Sequence, residues 1–105
     1  MSDLPIPSPV TREGRITHQF ILFVAGEEPN SILARQNLEA LCRADLTDQY
    51  ELQVVNVFEN HTLALEYRVL VTPCLVMLKP YPSVMIAGTL RDTEKVRTVL
   101  RLNQE

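Results

Sequence analysis

The chain has 105 residues, enough for one domain and too few for two. At 46% hydrophobic and 22% charged residues it has the make-up of an ordinary globular chain, and its longest apolar runs, such as residues 20–25, are far short of the ~20 residues a membrane span requires. A net charge of −3 argues against nucleic acid as the principal partner, and the absence of an apolar stretch in MSDLPIPSPVTREGR argues against a secretory signal.

The charge is unevenly spread. Residues 1–66 carry ten acids and four bases, whereas residues 67–105 carry six bases and three acids. Such a chain can steer a charged protein partner or pair with itself head to tail, although scattered solvated charge is the plainer account.

In chain order, residues 1–17 read as a disordered Pro-rich arm, because Pro5, Pro7 and Pro9 favour extended structure and forbid a helix. The domain is then residues 18–105. Residues 19–25 (QFILFVA) form a nearly continuous apolar run, as expected of a strand covered on both faces. Gly26 ends it, and Pro29-Asn30-Ser31 looks like a helix start with Asn30 as N-cap. Leu33, Ala34, Leu38, Leu41 and Cys42 recur at helical spacing, with Arg35, Gln36 and Glu39 outward and residues 45–49 as a polar connection.

Residues 50–57 (YELQVVNV) predict a second central strand. Asn60 is placed to cap a short helix over residues 62–67, with Leu63 and Tyr67 on one face. Residues 74–78 and 84–87 read as a third and fourth strand, joined by a turn through Pro80 and Pro82 that is too proline-rich for a tight two-residue loop. Asp92 caps a final helix over residues 93–102, with Val96, Val99 and Leu100 inward. The order β-α-β-α-β-β-α is an α/β class pattern and the arrangement of a thioredoxin-like sandwich. Thioredoxin-like folds hold a cis proline where Thr72-Pro73 enters the third strand, so Pro73 is expected to be cis.

Candidate chemistry is sparse. Redox work in such a fold needs a thiolate at the start of the first helix and a resolving thiol three residues on. Glu27-Glu28-Pro29-Asn30 stand there instead. Cys42 reads as core. Cys74 is the one thiol that a redox or glutathione-binding alternative would use, and a packed strand residue is its plainer role. His18 and His61 lack acidic or serine partners at catalytic spacing and read as surface or capping residues. No GxGxxG or Walker A run is present, and Cys42 and Cys74 stand alone, without zinc-ligand spacing. No catalytic residue, cofactor or metal ligand is therefore assigned, and the reduced thiols point to the cytoplasm.

Six pieces occur in order along residues 19–102: Val24-Ala25-Gly26 with Pro29-Asn30-Ser31; Val55-Asn56-Val57; Thr72-Pro73-Cys74-Leu75; Pro80-x-Pro82; Gly88-x-Leu90; and Asp92-x-Glu94-Lys95-Val96. Together they resemble the KaiB family of circadian clock proteins. The resemblance implies a non-enzymatic regulator that binds a KaiC-like ATPase and, in full clocks, a KaiA-like protein. It would compete there with a sensor histidine kinase whose N-terminal domain is itself KaiB-like. It also implies a homo-oligomer (dimer or tetramer) and a family able to interconvert two folds. The matching turn, Gly26, Pro29 and Asn30, together with Arg35 and Arg68, are the partner-binding candidates.

The chain departs from the cyanobacterial pattern where Val99 and Arg101 replace a glycine and an aspartate in the last helix. Both replacements favour helix, by about 0.3–1 kcal/mol each. This chain is accordingly expected to keep the thioredoxin-like form. Val99 and Arg101, with Pro73, Pro80 and Pro82, are the positions expected to govern any switch.

Overall fold

The computed structural model describes residues 16–47 and 49–102, so the arm expected over residues 1–17 lies outside the described residues except at its last two positions. Seven elements follow in the expected order: β1 (His18–Val24), α1 (Pro29–Leu46), β2 (Tyr50–Asn56), α2 (His61–Glu66), β3 (Cys74–Lys79), β4 (Val84–Ala87) and α3 (Thr93–Leu100). They build one sheet in the order β2-β1-β3-β4. β1 pairs parallel with β2 and antiparallel with β3, and β3 pairs antiparallel with β4. Parallel strands cannot be joined by a hairpin, and α1 supplies the crossover.

Alternation along β1 divides the core in two. Phe20, Leu22 and Val24 face α1 and α3, where Ala34, Leu38, Leu41, Leu46, Val96 and Leu100 join them. Ile21 and Phe23 face the other way and pack with Val55, Val76 and Ala64 of α2. β1 is central and buried on both faces, which is why its sequence runs almost unbroken in apolar residues. β2 is a correction. It is an edge strand, not a central one, because β1 already has β3 on its other side, and Glu51 and Gln53 are accordingly exposed.

The helix ends also differ from expectation. Glu28, not Asn30, is the N-cap of α1: Pro29, which has no N–H to lose, takes the first helical position, and the Glu28 carboxylate accepts the Ser31 N–H at 3.2 Å. α1 continues through Asp45 to Leu46, whose burial beside Leu41 and Cys42 extends the apolar face one more turn, while Leu33 points outward at 43% exposure. Asn60 and Asp92 cap α2 and α3 as expected, accepting from the Leu63 and Lys95 N–H groups. α3 stops at Leu100. Arg101 adopts the left-handed conformation (φ 58°), and the Leu102 N–H returns to the Arg97 carbonyl at 2.9 Å.

Val99 is half-buried, not fully inward. The Arg101 guanidinium does not serve the helix end as a cation either. It donates to the Pro80 and Pro82 carbonyls at 2.6 and 2.9 Å, tying α3 to the β3–β4 turn. The Thr72-Pro73 bond is cis, as expected, and so are Lys79-Pro80 and Tyr81-Pro82.

Polar clamps fasten the end of the sheet where β1 begins. His18 is buried at 7% exposure, with Nε2 donating to the Leu100 carbonyl at 3.1 Å and Nδ1 2.9 Å from the Thr17 hydroxyl. It therefore has the capping role and not the surface one. Nearby, Arg97 donates to Asp45 at 2.7 and 3.4 Å, and this hydrogen bond foremost raises the guanidinium pKa.

Candidate partner-binding site

The opposite end of the sheet, where β1 and β2 finish and β3 begins, collects most of the family-matching residues. Gly26 follows β1 at φ +57°, a conformation that side chains other than glycine rarely adopt, and the Phe58 ring covers it. The Asn56 side-chain oxygen accepts from the N–H of Gly26 at 3.1 Å and of Phe58 at 3.0 Å. One amide at the end of β2 thereby fixes both the β1–α1 and the β2–α2 loops. The Ser31 hydroxyl adds a third tie by accepting the Ala25 N–H at 3.0 Å. The Val57 N–H donates to the Val24 carbonyl at 2.9 Å, and Pro73, at the start of β3, accepts from Gly88 at 2.9 Å.

The sequence-derived candidates are distributed around this scaffold. Gly26, Pro29 and Asn30 share the fixed loop and the first turn of α1, with Pro29 and Asn30 exposed. Arg35 lies further along α1, pairs with Glu39 at 3.2 Å, and lines the groove between α1 and β2 with Val24 and Val54. Arg68 lies beyond α2, exposed, with φ +60°. The structure thus joins the turn residues into one unit and sets the two arginines on separate elements beside it. Asn56 was visible in the sequence only as part of a motif. Its role in tying two loops depends on strand pairing between β1 and β2, which no local pattern reports.

Thiol chemistry has no place here. The loop where a thioredoxin-type thiol would stand carries Glu27 and Glu28. Cys74 is 2% exposed and Cys42 fully buried, both as free thiols. Burial pushes the Cys74 thiol up, and burial followed by the nearby Asp45 and Glu39 charges pushes Cys42 up to about 12. Thiolates, the reactive form, are disfavoured at both positions. Among the described residues no cluster of His, Cys, Asp and Glu has the makings of a metal site, and no helix is long and apolar enough to cross a membrane.

Comparison with known proteins agrees with this geometry. The KaiB domain model matches residues 21–102. The circadian clock oscillator protein KaiB of a Picosynechococcus species is 39% identical over 89 residues, covering 85% of this chain and 86% of the relative. The KaiB of Synechococcus elongatus is 39% identical over 82 residues, covering 78% and 80%. Both relatives are named as clock proteins and not as enzymes. Among solved structures, the N-terminal domain of Synechococcus elongatus SasA superposes with a TM-score of 0.68 at 25% identity, covering 100% of this chain and 95% of that one. Chloroplastic thioredoxin z superposes with a TM-score of 0.69 at 19% identity, covering 92% and 88%, a likeness of fold alone. On the match over residues 21–102 and the 39% identity to clock relatives, the chain belongs to the KaiB family, here in a thioredoxin-like fold.

Proposed function

We propose that this protein is a non-enzymatic regulator that binds a KaiC-like ATPase in circadian or stress-related signalling in the cytoplasm. The observation that carries the reading is a thioredoxin-like fold in a KaiB-family chain whose loop end is tied by hydrogen bonds and keeps its one thiol, Cys74, buried. A surface kept in order without chemistry suits recognition of another protein. Gly26, Pro29 and Asn30 form the fixed centre of the contact, and Arg35 and Arg68 supply cations at its margin. A SasA-like sensor kinase, whose N-terminal domain shares the fold, competes for the same partner, as does a KaiA-like protein where one exists. Self-association as a dimer or tetramer belongs to the same reading, as does a chain held in the thioredoxin-like form by Val99 and Arg101.

The test is calorimetry with the KaiC-like ATPase of the same organism. Binding at tens of micromolar or tighter is expected, weakened several-fold by Arg35→Ala and Arg68→Ala. Absence of binding at those concentrations defeats the proposal.

A further inference from the structure

Of the large apolar side chains exposed among the described residues, Leu65 (69%), Leu70 (89%) and Val71 (58%) share one groove at the loop end, and Phe58 (73%) follows its Val57 wall and lies against Gly26. They come from the β2–α2 loop, the last turn of α2 and the run into β3, which the strand pairing brings to one end of the sheet. Leu65, Leu70 and Val71 line an open groove of about 450 Å³ floored by Ala64 and walled by Val57, the neighbour of Phe58. Apolar side chains exposed singly are ordinary, but a contiguous group ringed by polar residues marks an interaction surface.

The ring has a sign. Glu59 and Glu66 are exposed on the β2–α2 loop and at the end of α2, and Glu27 and Glu28 on the neighbouring β1–α1 loop whose Gly26 Phe58 covers, against Arg68 alone among these segments. Arg91 and Lys95 lie across the sheet beside β4, where they line a separate groove with Met85. The apolar patch is therefore bordered chiefly by carboxylates.

We propose that this patch docks a partner segment that presents apolar side chains flanked by lysines or arginines. The proposal rests on the reading of the chain as a protein-binding regulator and names the part of its surface that does the binding. Desolvated apolar anchors beside the fixed turn of Gly26, Pro29 and Asn30 hold the complex, and the carboxylates steer a basic segment and set its orientation. Arg68 stands at one edge of this surface and meets an acidic group of the partner there, so the basic flanks of the partner lie toward Glu27, Glu28 and Glu59.

The experiment uses the full chain with two probes. The first is the KaiC-like ATPase. The second is a pair of synthetic peptides sharing one leucine stripe, flanked by lysines in one and glutamates in the other. Leu65→Asp/Leu70→Asp removes two exposed side chains, so circular dichroism and the urea midpoint should match wild type. Expected are at least a tenfold loss of ATPase affinity in that variant and weakening of the wild-type complex as salt is raised. The lysine-flanked peptide should shift the amides of residues 57–58 and 65–72, at least tenfold more tightly than its glutamate counterpart.

If the ATPase binds wild type and the double variant equally, the patch is overturned while the regulator reading stands. If the ATPase binds neither, that reading fails, and the peptides decide the patch: equal affinity for both, or shifts elsewhere, overturns it. Concentration-dependent self-association of wild type that the double variant loses, with ATPase affinity unchanged, assigns the patch to a second copy and overturns the proposal as well.

Discussion

The two faces of the sheet are covered very unequally. On one, the 18 residues of α1 and the 8 of α3 close over a cluster of fourteen buried side chains. On the other, the 6-residue α2 closes over five. β1 contributes to both, so the same strand is anchored firmly on one side and lightly on the other. Local stability follows buried apolar contacts, and binding loops are drawn from the less buried parts of a structure. The lightly covered side accordingly carries the exposed apolar patch, while the heavily covered side carries the polar clamps of His18, Asp45 and Arg97.

The largest expected effect breaks the heavily covered face. Leu38 is fully buried between α1 and the sheet. Leu38→Ala should cost about 2–5 kcal/mol, or roughly 10 °C or more of melting temperature in a domain of this size. Leu63→Ala, on the half-buried rim of the α2 cluster, should cost nearer ~1 kcal/mol. Urea unfolding of both variants measures the difference. Equal losses would show that the two faces contribute alike.

Next comes the link between α3 and the β3–β4 turn. Arg101→Asp removes both donations to the Pro80 and Pro82 carbonyls and sets a negative charge beside them, a loss of about 1–2 kcal/mol. Adding Val99→Gly subtracts up to ~1 kcal/mol of helix preference. Amide exchange over residues 93–102 should accelerate in the double variant, whereas the wild type should give one set of backbone resonances for residues 50–102. A second, slowly exchanging set in wild type with strand-like shifts for residues 93–102 would show that the chain visits another fold.

Much of this was legible in the sequence, and the exceptions share a cause. Element order, the apolar spacing of α1, the caps at Asn60 and Asp92 and the turn at Gly26 are all local signals. Glu28 displaced Asn30 as cap because Pro29 fixes the register of the first turn, a one-residue effect that residue preferences alone do not resolve. The edge position of β2, the burial of His18 and the aim of Arg101 depend on contacts between segments 32, 82 and 19–21 residues apart. The exposed patch was missed for a related reason. Leu65, Leu70 and Val71 are left uncovered by the shortness of α2, which no local pattern shows.

A smaller effect separates binding from stability at the loop end. Asn56→Ala removes the acceptor shared by the Gly26 and Phe58 N–H groups. Both groups lie in or beside exposed loops where water replaces the lost partner, so the cost to folding should be about 1 kcal/mol. Partner affinity should fall several-fold, because two loops of the proposed surface lose their common tie. Leu38→Ala should behave oppositely, with a large loss of stability and little change in affinity once folded. Equal affinity of wild type and Asn56→Ala would mean that the loop tie does not shape the surface.

The smallest expected effect is a slope with pH. Burial foremost holds the His18 pKa below its ordinary 6.5, and the Arg101 charge acts in the same sense, while the bond to the Leu100 carbonyl opposes them. That carbonyl can only accept, so neutral His18 carries its proton on Nε2, leaving Nδ1 to accept from Thr17. The Thr17 hydroxyl also lies 3.2 Å from the Gln49 carbonyl and has one proton to give. Phe20 stacks on the ring and shields it from water. With the folded pKa depressed, the unfolded chain binds the proton more readily. Stability is then full above pH 6.5, falls as pH drops through that value, and levels off below the folded pKa. His18→Gln should flatten this contribution between pH 7 and 5, read as the change in urea midpoint across that range. Identical slopes in the two proteins would show that the imidazole titrates alike in the folded and unfolded chain, and that the clamp on α3 is not sensitive to pH.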